Sequence, residues 1–212
     1  FNLKKRPKKN PLIVHYLNYK DAAKDVIFNA NFYKLYRRFC PGPITFVLKK
    51  KNRSKIQPSV TANLNSIAIR FPNHRTTRLI LKKINFPLAM PSANKSTNLS
   101  PVCAEDVFDE FKKKVPLIID GGKSKIGIES TVIDLTSEPV ILRPGILNKN
   151  SIEKTLEMKL KSNLKIKKIK SPGTSKKHYS PGIPVKINQM KHDKKSAFIY
   201  LGKKYKKRKN FF

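Results

Sequence analysis

The chain has 212 residues, 39% of them apolar, enough for one domain of ordinary size and a small appendage. No apolar run approaches the ~20 residues that span a bilayer, no signal peptide is visible, and Cys40 and Cys103 lack metal-ligand spacing, so they read as free thiols of a reducing, cytoplasmic setting rather than one disulfide. The 47 Lys+Arg against 13 Asp+Glu give a formal net charge of +34, spread along the chain rather than gathered in the localised patch that marks a nucleic-acid binder.

The N-terminal stretch Lys4-Lys5-Arg6-Pro7 is read as extended. Residues two apart then face one side, so Lys4 and Arg6 either meet one phosphate group together or stand as two solvated cations. Asn10-Pro11 follows, and Leu12-Ile13-Val14 runs into His15, a ligand residue or a satisfied core histidine. Asp21 to Phe39 has apolar residues at helical spacing and stops at Pro41-Gly42-Pro43. Ile44 to Leu48 and Ser66 to Phe71 read as strands. Arg70 ends the second of these, either as a paired structural group or as a carboxylate binder through its bidentate fork.

Arg75 to Ile84 has the helical period, and Leu88-Ala89-Met90 is a short buried strand running into Pro91. Ser92 and Asn94 then sit in a turn, where they serve a ligand or ordinary turn chemistry. Ser100-Pro101 reads as an N-cap with proline at the first helical position, opening a helix to about Lys113 whose N-terminus also suits an anion. Leu117 to Asp120, Thr131 to Leu135 and Val140 to Leu142 read as strands. Gly121-Gly122 and Gly127 free the backbone before Ser130-Thr131, and Arg143 ends the next strand ahead of Pro144-Gly145. A hydroxyl pair and an arginine thus share one sheet edge. Asn150 to Leu160 reads as a capped helix with Glu153 in its first turn.

Residues 1–160 therefore form an α/β (α+β) domain with a mixed sheet. Residues 161–184 are a linker by their Lys, Ser, Pro and Gly content, and Val185-Lys186-Ile187 with Ala197 to Leu201 begin a second, small α/β domain in 185–212. Opening on Phe1 and stopping at Phe211-Phe212, the sequence reads as lacking a stretch at each end. There is no P-loop, no Gly-x-Gly-x-x-Gly and no Gly-x-Ser-x-Gly elbow, and no metal-ligand set among His15, His74, His178 and His192. An enzyme built from these parts works by charge neutralisation and positioning rather than through a covalent nucleophile.

In order and spacing, these segments resemble the YrdC-like family of L-threonylcarbamoyladenylate synthases, in its longer form with an extra C-terminal domain. The resemblance is carried by Lys4-Lys5-Arg6-Pro7, Asn10 to His15, Pro41-Gly42-Pro43-Ile44-Thr45, Ala68-Ile69-Arg70-Phe71-Pro72, Pro91-Ser92-Ala93-Asn94, Ser100-Pro101, Gly127-Ile128-Glu129-Ser130-Thr131-Val132 and Leu142-Arg143-Pro144-Gly145. Ser171-Pro172-Gly173 and His178-Tyr179-Ser180-Pro181-Gly182 are similar to the long form's linker.

The resemblance implies a twisted mixed sheet flanked by helices around a concave, positively charged cavity. It implies a nucleotidyltransferase joining L-threonine, bicarbonate or CO2, and ATP, helped by Mg2+, into threonylcarbamoyl-AMP and pyrophosphate. A downstream tRNA threonylcarbamoyl transferase would be the partner. Lys4 and Arg6 would be the catalytic cations. Arg6, Asn10, Ser66, Ser92, Asn94, Ser100, Arg143 and Tyr179 would bind ATP, and His15, Arg70, Met90 and Ser130 would bind threonine. The family's threonine-contacting segment, similar to Pro-Thr-Glu-Thr-x-Tyr-Gly-Leu, would lie upstream of Phe1. Lys5 stands where the family usually has glycine, with a side chain that either crowds the phosphates or points away. The alternatives are a non-catalytic, basic RNA-binding module of the same fold, and an inactive fragment.

Overall fold

The computed structural model describes residues 1–161, 184–188, 197 and 199. The chain divides into two compact units, 1–181 and 182–212. In the first, β1 (Ile13–His15), β2 (Ile44–Lys49), β3 (Ser66–Arg70), β4 (Leu88–Ala89), β5 (Thr131–Asp134) and β6 (Val140–Arg143) form one sheet in the order β4-β1-β3-β2-β5-β6. The pairs β1–β3 and β2–β5 are parallel, and the other three are antiparallel. This is the mixed α/β sheet expected.

Alternation along the strands gives the sheet two unlike faces. Val14, Phe46, Ile67, Ile69 and Ile133 enter the main core, against Phe32 and Leu35 of α2 (Ala30–Phe39) and Ile152 and Leu156 of α6 (Lys149–Leu156). The opposite face carries a thin cluster of Ile13, Val47, Ala68 and Val132. Beside it, His15, Arg70 and Thr45 are successive Cα partners across β1, β3 and β2. One face holds the fold together and the other presents polar groups.

Several elements differ from expectation for identifiable reasons. The helix expected from Asp21 splits into α1 (Tyr19–Ala22) and α2, because the intervening backbone pairs with the end of β2. Ile27 N–H donates to the Lys49 carbonyl at 2.9 Å and Lys51 N–H to the Asp25 carbonyl at 2.9 Å. Asn29 then restarts the helix as its N-cap, accepting from Phe32 N–H. Residues 58–61 add a short α3 (Pro58–Thr61), and α4 (Arg75–Lys83) ends a residue earlier than read. β4 is an edge strand of two residues and is not buried.

The helix expected at Ser100 starts later, as α5 (Ala104–Phe111), followed by a 3-10 turn at Lys112–Lys114. The Asp106 carboxylate accepts from Val102 N–H at 2.8 Å and Cys103 N–H at 3.3 Å, which places the cap at Cys103. Leu117 to Asp120 joins no strand, and Leu117 and Ile119 stay exposed. Asn148, not Asn150, caps α6 through Ser151 N–H, and Glu157 in the left-handed region ends that helix early. Residues 184–188 of the second unit form neither helix nor strand. The readings at Tyr179, at most of the linker and at most of Ala197 to Leu201 lie outside the described residues.

Candidate active site

A cavity of about 330 Å³ opens on the polar face of the sheet, where β1 and β3 end. It collects Lys4, Arg6, Asn10, Ser92, Asn94 and Ser100 on one hand, and His15, Arg70, Met90, Ser130 and Arg143 on the other. Ser66 is not brought there. It opens β3 opposite Lys49, and at about 3.3 Å rise per residue the strand carries it on the order of 13 Å from Arg70.

The N-terminal segment is pinned to the turn after β4. Lys4 Nζ donates to the carbonyls of Ser92 and Asn94, and Ser96 N–H returns to the Lys4 carbonyl at 2.7 Å. Burial, and then the nearby Arg6, push the Lys4 ammonium down to about 8, with Glu110 opposing. Arg6 is steered by the Pro11 carbonyl at 2.7 Å and the Asn10 carbonyl at 3.3 Å, and burial lowers it to about 10. Asn94 Nδ2 donates to the Lys95 and Asn98 carbonyls at 2.7 and 2.8 Å, which fixes its amide orientation. Among the described residues its buried Oδ1 has no hydrogen-bond partner, and neither has that of Asn10. Unpaired buried acceptors are costly, and they are at home where a ligand supplies the donor.

His15 Nδ1 lies 3.1 Å from the Ile13 carbonyl. Burial first, then Arg70, hold its pKa down at about 4, so it is neutral at physiological pH. Arg70 anchors Nε on the Gly42 carbonyl at 3.3 Å. Arg143 donates from Nε and Nη2 to the Ser130 carbonyl at 3.1 and 2.9 Å, and from Nη2 to Ser130 Oγ at 3.1 Å. This packing demands Gly145, because a Cβ there would sit 2.4 Å from Thr131 N and 2.6 Å from the Glu129 carbonyl oxygen.

Several groups of the wall carry no role expected from the sequence, Glu129, His74 and Thr77 among them. Glu129, which accepts from Ser100 Oγ at 2.6 Å, is the acidic member of the cavity. His74 caps α4 and meets the Gly121 carbonyl at 3.1 Å, and Thr77 lies beside it. Of these, Glu129 lay within a quoted motif, yet its pairing with a serine far along the chain has no local signature. Lys5 is exposed and absent from the wall, so its side chain points away from the cavity. The stretch expected to be extended is instead a turn, with Lys5 N–H donating to the Asn2 carbonyl at 2.9 Å. The Lys5 φ of 50° is in the left-handed region, where a non-glycine residue costs about 1–2 kcal/mol. Lys5→Gly is therefore expected to stabilise the protein by about 0.5–1 kcal/mol after the larger chain entropy of glycine is deducted. A denaturant titration checks this, and a fall in midpoint would contradict it.

No group of three or more His, Cys, Asp or Glu assembles into a metal site among the described residues. Mg2+ arriving with a polyphosphate keeps waters and phosphate oxygens and asks one carboxylate or so of the protein. Glu129 and the unpaired Asn10 and Asn94 amide oxygens fit such a cation.

The Sua5/YciO/YrdC family model, described as "Telomere recombination", matches residues 1–145. The threonylcarbamoyl-AMP synthase of Pyrococcus abyssi is 39% identical over 92% of this chain and 58% of its own length. That of Bacillus subtilis is 36% identical over 88% of this chain and 55% of its own. The crystal structure of P. abyssi Sua5 complexed with L-threonine superposes with a TM-score of 0.77 at 36% identity, over 94% of this chain and 56% of that one. The Escherichia coli YciO structure shares the fold, with a TM-score of 0.62 at 22% identity over 73% of each chain. The chain thus spans a little over half the length of the curated relatives it matches. With the family model matching residues 1–145 and these likenesses beside it, the chain belongs to the Sua5/YciO/YrdC family.

Proposed function

We propose that this protein is a threonylcarbamoyl-AMP synthase, joining L-threonine, bicarbonate or CO2, and ATP, and releasing pyrophosphate. The observation that carries the reading is one cavity with four Lys and Arg residues and one carboxylate in its wall. A triphosphate and an amino-acid carboxylate together need that excess of positive charge. Lys4 and Arg6 take the phosphates, with Asn10, Ser92, Asn94, Ser100 and Arg143 around the nucleotide. Arg70 pairs with the threonine carboxylate, flanked by neutral His15, Met90 and Ser130. A structure of the P. abyssi relative complexed with L-threonine supports L-threonine as the amino-acid substrate.

In the first step the threonine nitrogen bonds to carbon of CO2 and loses a proton, giving a carbamate. A carbamate oxygen then bonds to the α-phosphorus while the bond to the departing pyrophosphate breaks. Lys4 and Arg6 hold the polyphosphate in line and balance charge on the leaving group. The carbamate is labile in water, so a partly closed cavity protects it. Mg2+ bound to ATP supplies further charge neutralisation, and Glu129 would meet its waters. The product passes to a tRNA threonylcarbamoyl transferase in the cytoplasm.

The test is pyrophosphate release from ATP by the full-length protein, with and without L-threonine and bicarbonate. Release that requires both is expected. Release independent of L-threonine, or none from folded protein that binds ATP, would overturn the reading.

A further inference from the structure

Ser130 Oγ lies 2.7 Å from Thr45 Oγ1 and 3.1 Å from Arg143 Nη2. A guanidinium only donates, so Ser130 accepts from Arg143. The bond to Thr45 runs in one of two directions, and burial decides which. Thr45 is fully buried, and among the described residues Ser130 is the one hydrogen-bond partner of its side chain. If Ser130 donated, the Thr45 hydrogen would be buried without an acceptor, a penalised arrangement. If Thr45 donates, its hydroxyl is satisfied and the unpaired hydrogen falls to Ser130, which, unlike Thr45, lines the cavity where a ligand or solvent oxygen can accept it. Both lone pairs of Ser130 Oγ are then filled, by Thr45 and Arg143, and its own hydrogen is left for the cavity that Ser130 lines.

We propose that Thr45 is a positioning residue that makes Ser130 an obligate hydrogen-bond donor, so that this point of the cavity accepts an anionic oxygen of the amino-acid substrate, in its carboxylate or its carbamate, and not the ammonium. The proposal rests on Ser130 facing L-threonine, as in the function proposed above. Arg70 is the Cα partner of Thr45 across β2 and β3, which places a cation beside the same point. Valine matches threonine in shape but lacks the hydroxyl. In Thr45→Val the Ser130 hydrogen therefore loses the neighbour that directs it, while Thr45→Ser keeps that neighbour.

The experiment titrates L-threonine and ATP separately into the full-length protein and its variants. Thr45→Val is expected to weaken L-threonine binding about tenfold and ATP binding less than about twofold, the loss of one directed hydrogen bond to a charged group. Thr45→Ser should restore L-threonine binding to within about twofold, whereas a purely packing role for the threonine methyl would leave serine as poor as valine. Adding Thr45→Val to Ser130→Ala should cost nothing further, because Thr45 acts through Ser130. Failure of serine to rescue, losses that multiply in the double variant, or unchanged affinity in Ser130→Ala would each overturn the proposal. If the parent binds ATP but no L-threonine, the substrate reading fails, and NMR then decides the polarity. A Thr45 hydroxyl proton protected from exchange in the parent and released in Ser130→Ala sustains the donor assignment, and its absence overturns it.

Discussion

Arg70→Ala is expected to weaken L-threonine binding on the order of 100-fold while changing ATP binding by less than about threefold. The guanidinium is held through Nε by the Gly42 carbonyl, and Gly42 is itself held by its N–H on the Phe71 carbonyl at 2.9 Å. Among the described residues the rest of the Arg70 fork has no hydrogen-bond partner, so it is aimed without being used. Burial lowers its pKa, which means the site already bears the cost of a desolvated cation, and a carboxylate would offset it. Truncating one side of such a charge pair costs about 3 kcal/mol. Arg70→Lys keeps the charge and loses the fork, so an intermediate loss of about tenfold is expected. Calorimetric titration of each ligand into each variant checks this. Equal losses for ATP and L-threonine would remove Arg70 from the amino-acid site.

How far the site was legible in the sequence follows from where its parts lie. Polar residues at the ends of apolar runs, such as Arg70 after Ile67-Ala68-Ile69 and Arg143 after Val140-Ile141-Leu142, announce themselves, because a cation at the end of a buried strand needs a partner or a ligand. The same logic fails for Leu117 to Asp120, which is as apolar as a true strand but finds no neighbour to pair with. Ser100 was legible as important but not in its part. Its hydroxyl goes to Glu129 across the cavity, while Asp106 settles the helix start. Thr45 was hidden because a threonine inside a strand reads as an ordinary β-former. Only the parallel pairing of β2 with β5 brings it to Ser130, and no periodicity encodes that. Ser66 shows the reverse, a residue carried over by resemblance that the strand rise places away from the cavity.

The split character of the sheet also explains why the site tolerates so much charge. Phe46, Ile67, Ile69 and Ile133 secure the fold on the far face, so His15, Thr45 and Arg70 need not contribute to the main core. Stability and polarity are assigned to alternate residues of the same strands. Substitutions at Arg70 or Lys4 should consequently change ligand binding much more than the unfolding midpoint, which makes both suitable for functional tests.

Replacing Lys4 by methionine, which is close in length and uncharged, is expected to lower pyrophosphate release by about 100-fold or more, the scale of one preorganised donor to a developing charge. It is also expected to remove an alkaline limb from ATP binding. In the free protein the Lys4 ammonium is lowered by burial, then by Arg6, to about 8, so it loses its proton as pH rises through 8. A triphosphate beside it favours the charged form and draws the pKa back up. Binding ATP therefore takes up a proton at about pH 8 and above, and affinity falls as pH rises from there, whereas at pH 7 the group is already mostly charged and uptake is small. Arg6, lowered only to about 10, stays cationic across pH 7 to 9 and does not produce this limb. Calorimetry at pH 8.5 in buffers of different ionisation enthalpy measures the uptake directly. The parent should show a substantial fraction of a proton per ATP, and Lys4→Met close to none. Uptake that persists in the methionine variant would move the titration to another group, and with it the claim that Lys4 meets the phosphates as a cation whose charge the ligand itself restores.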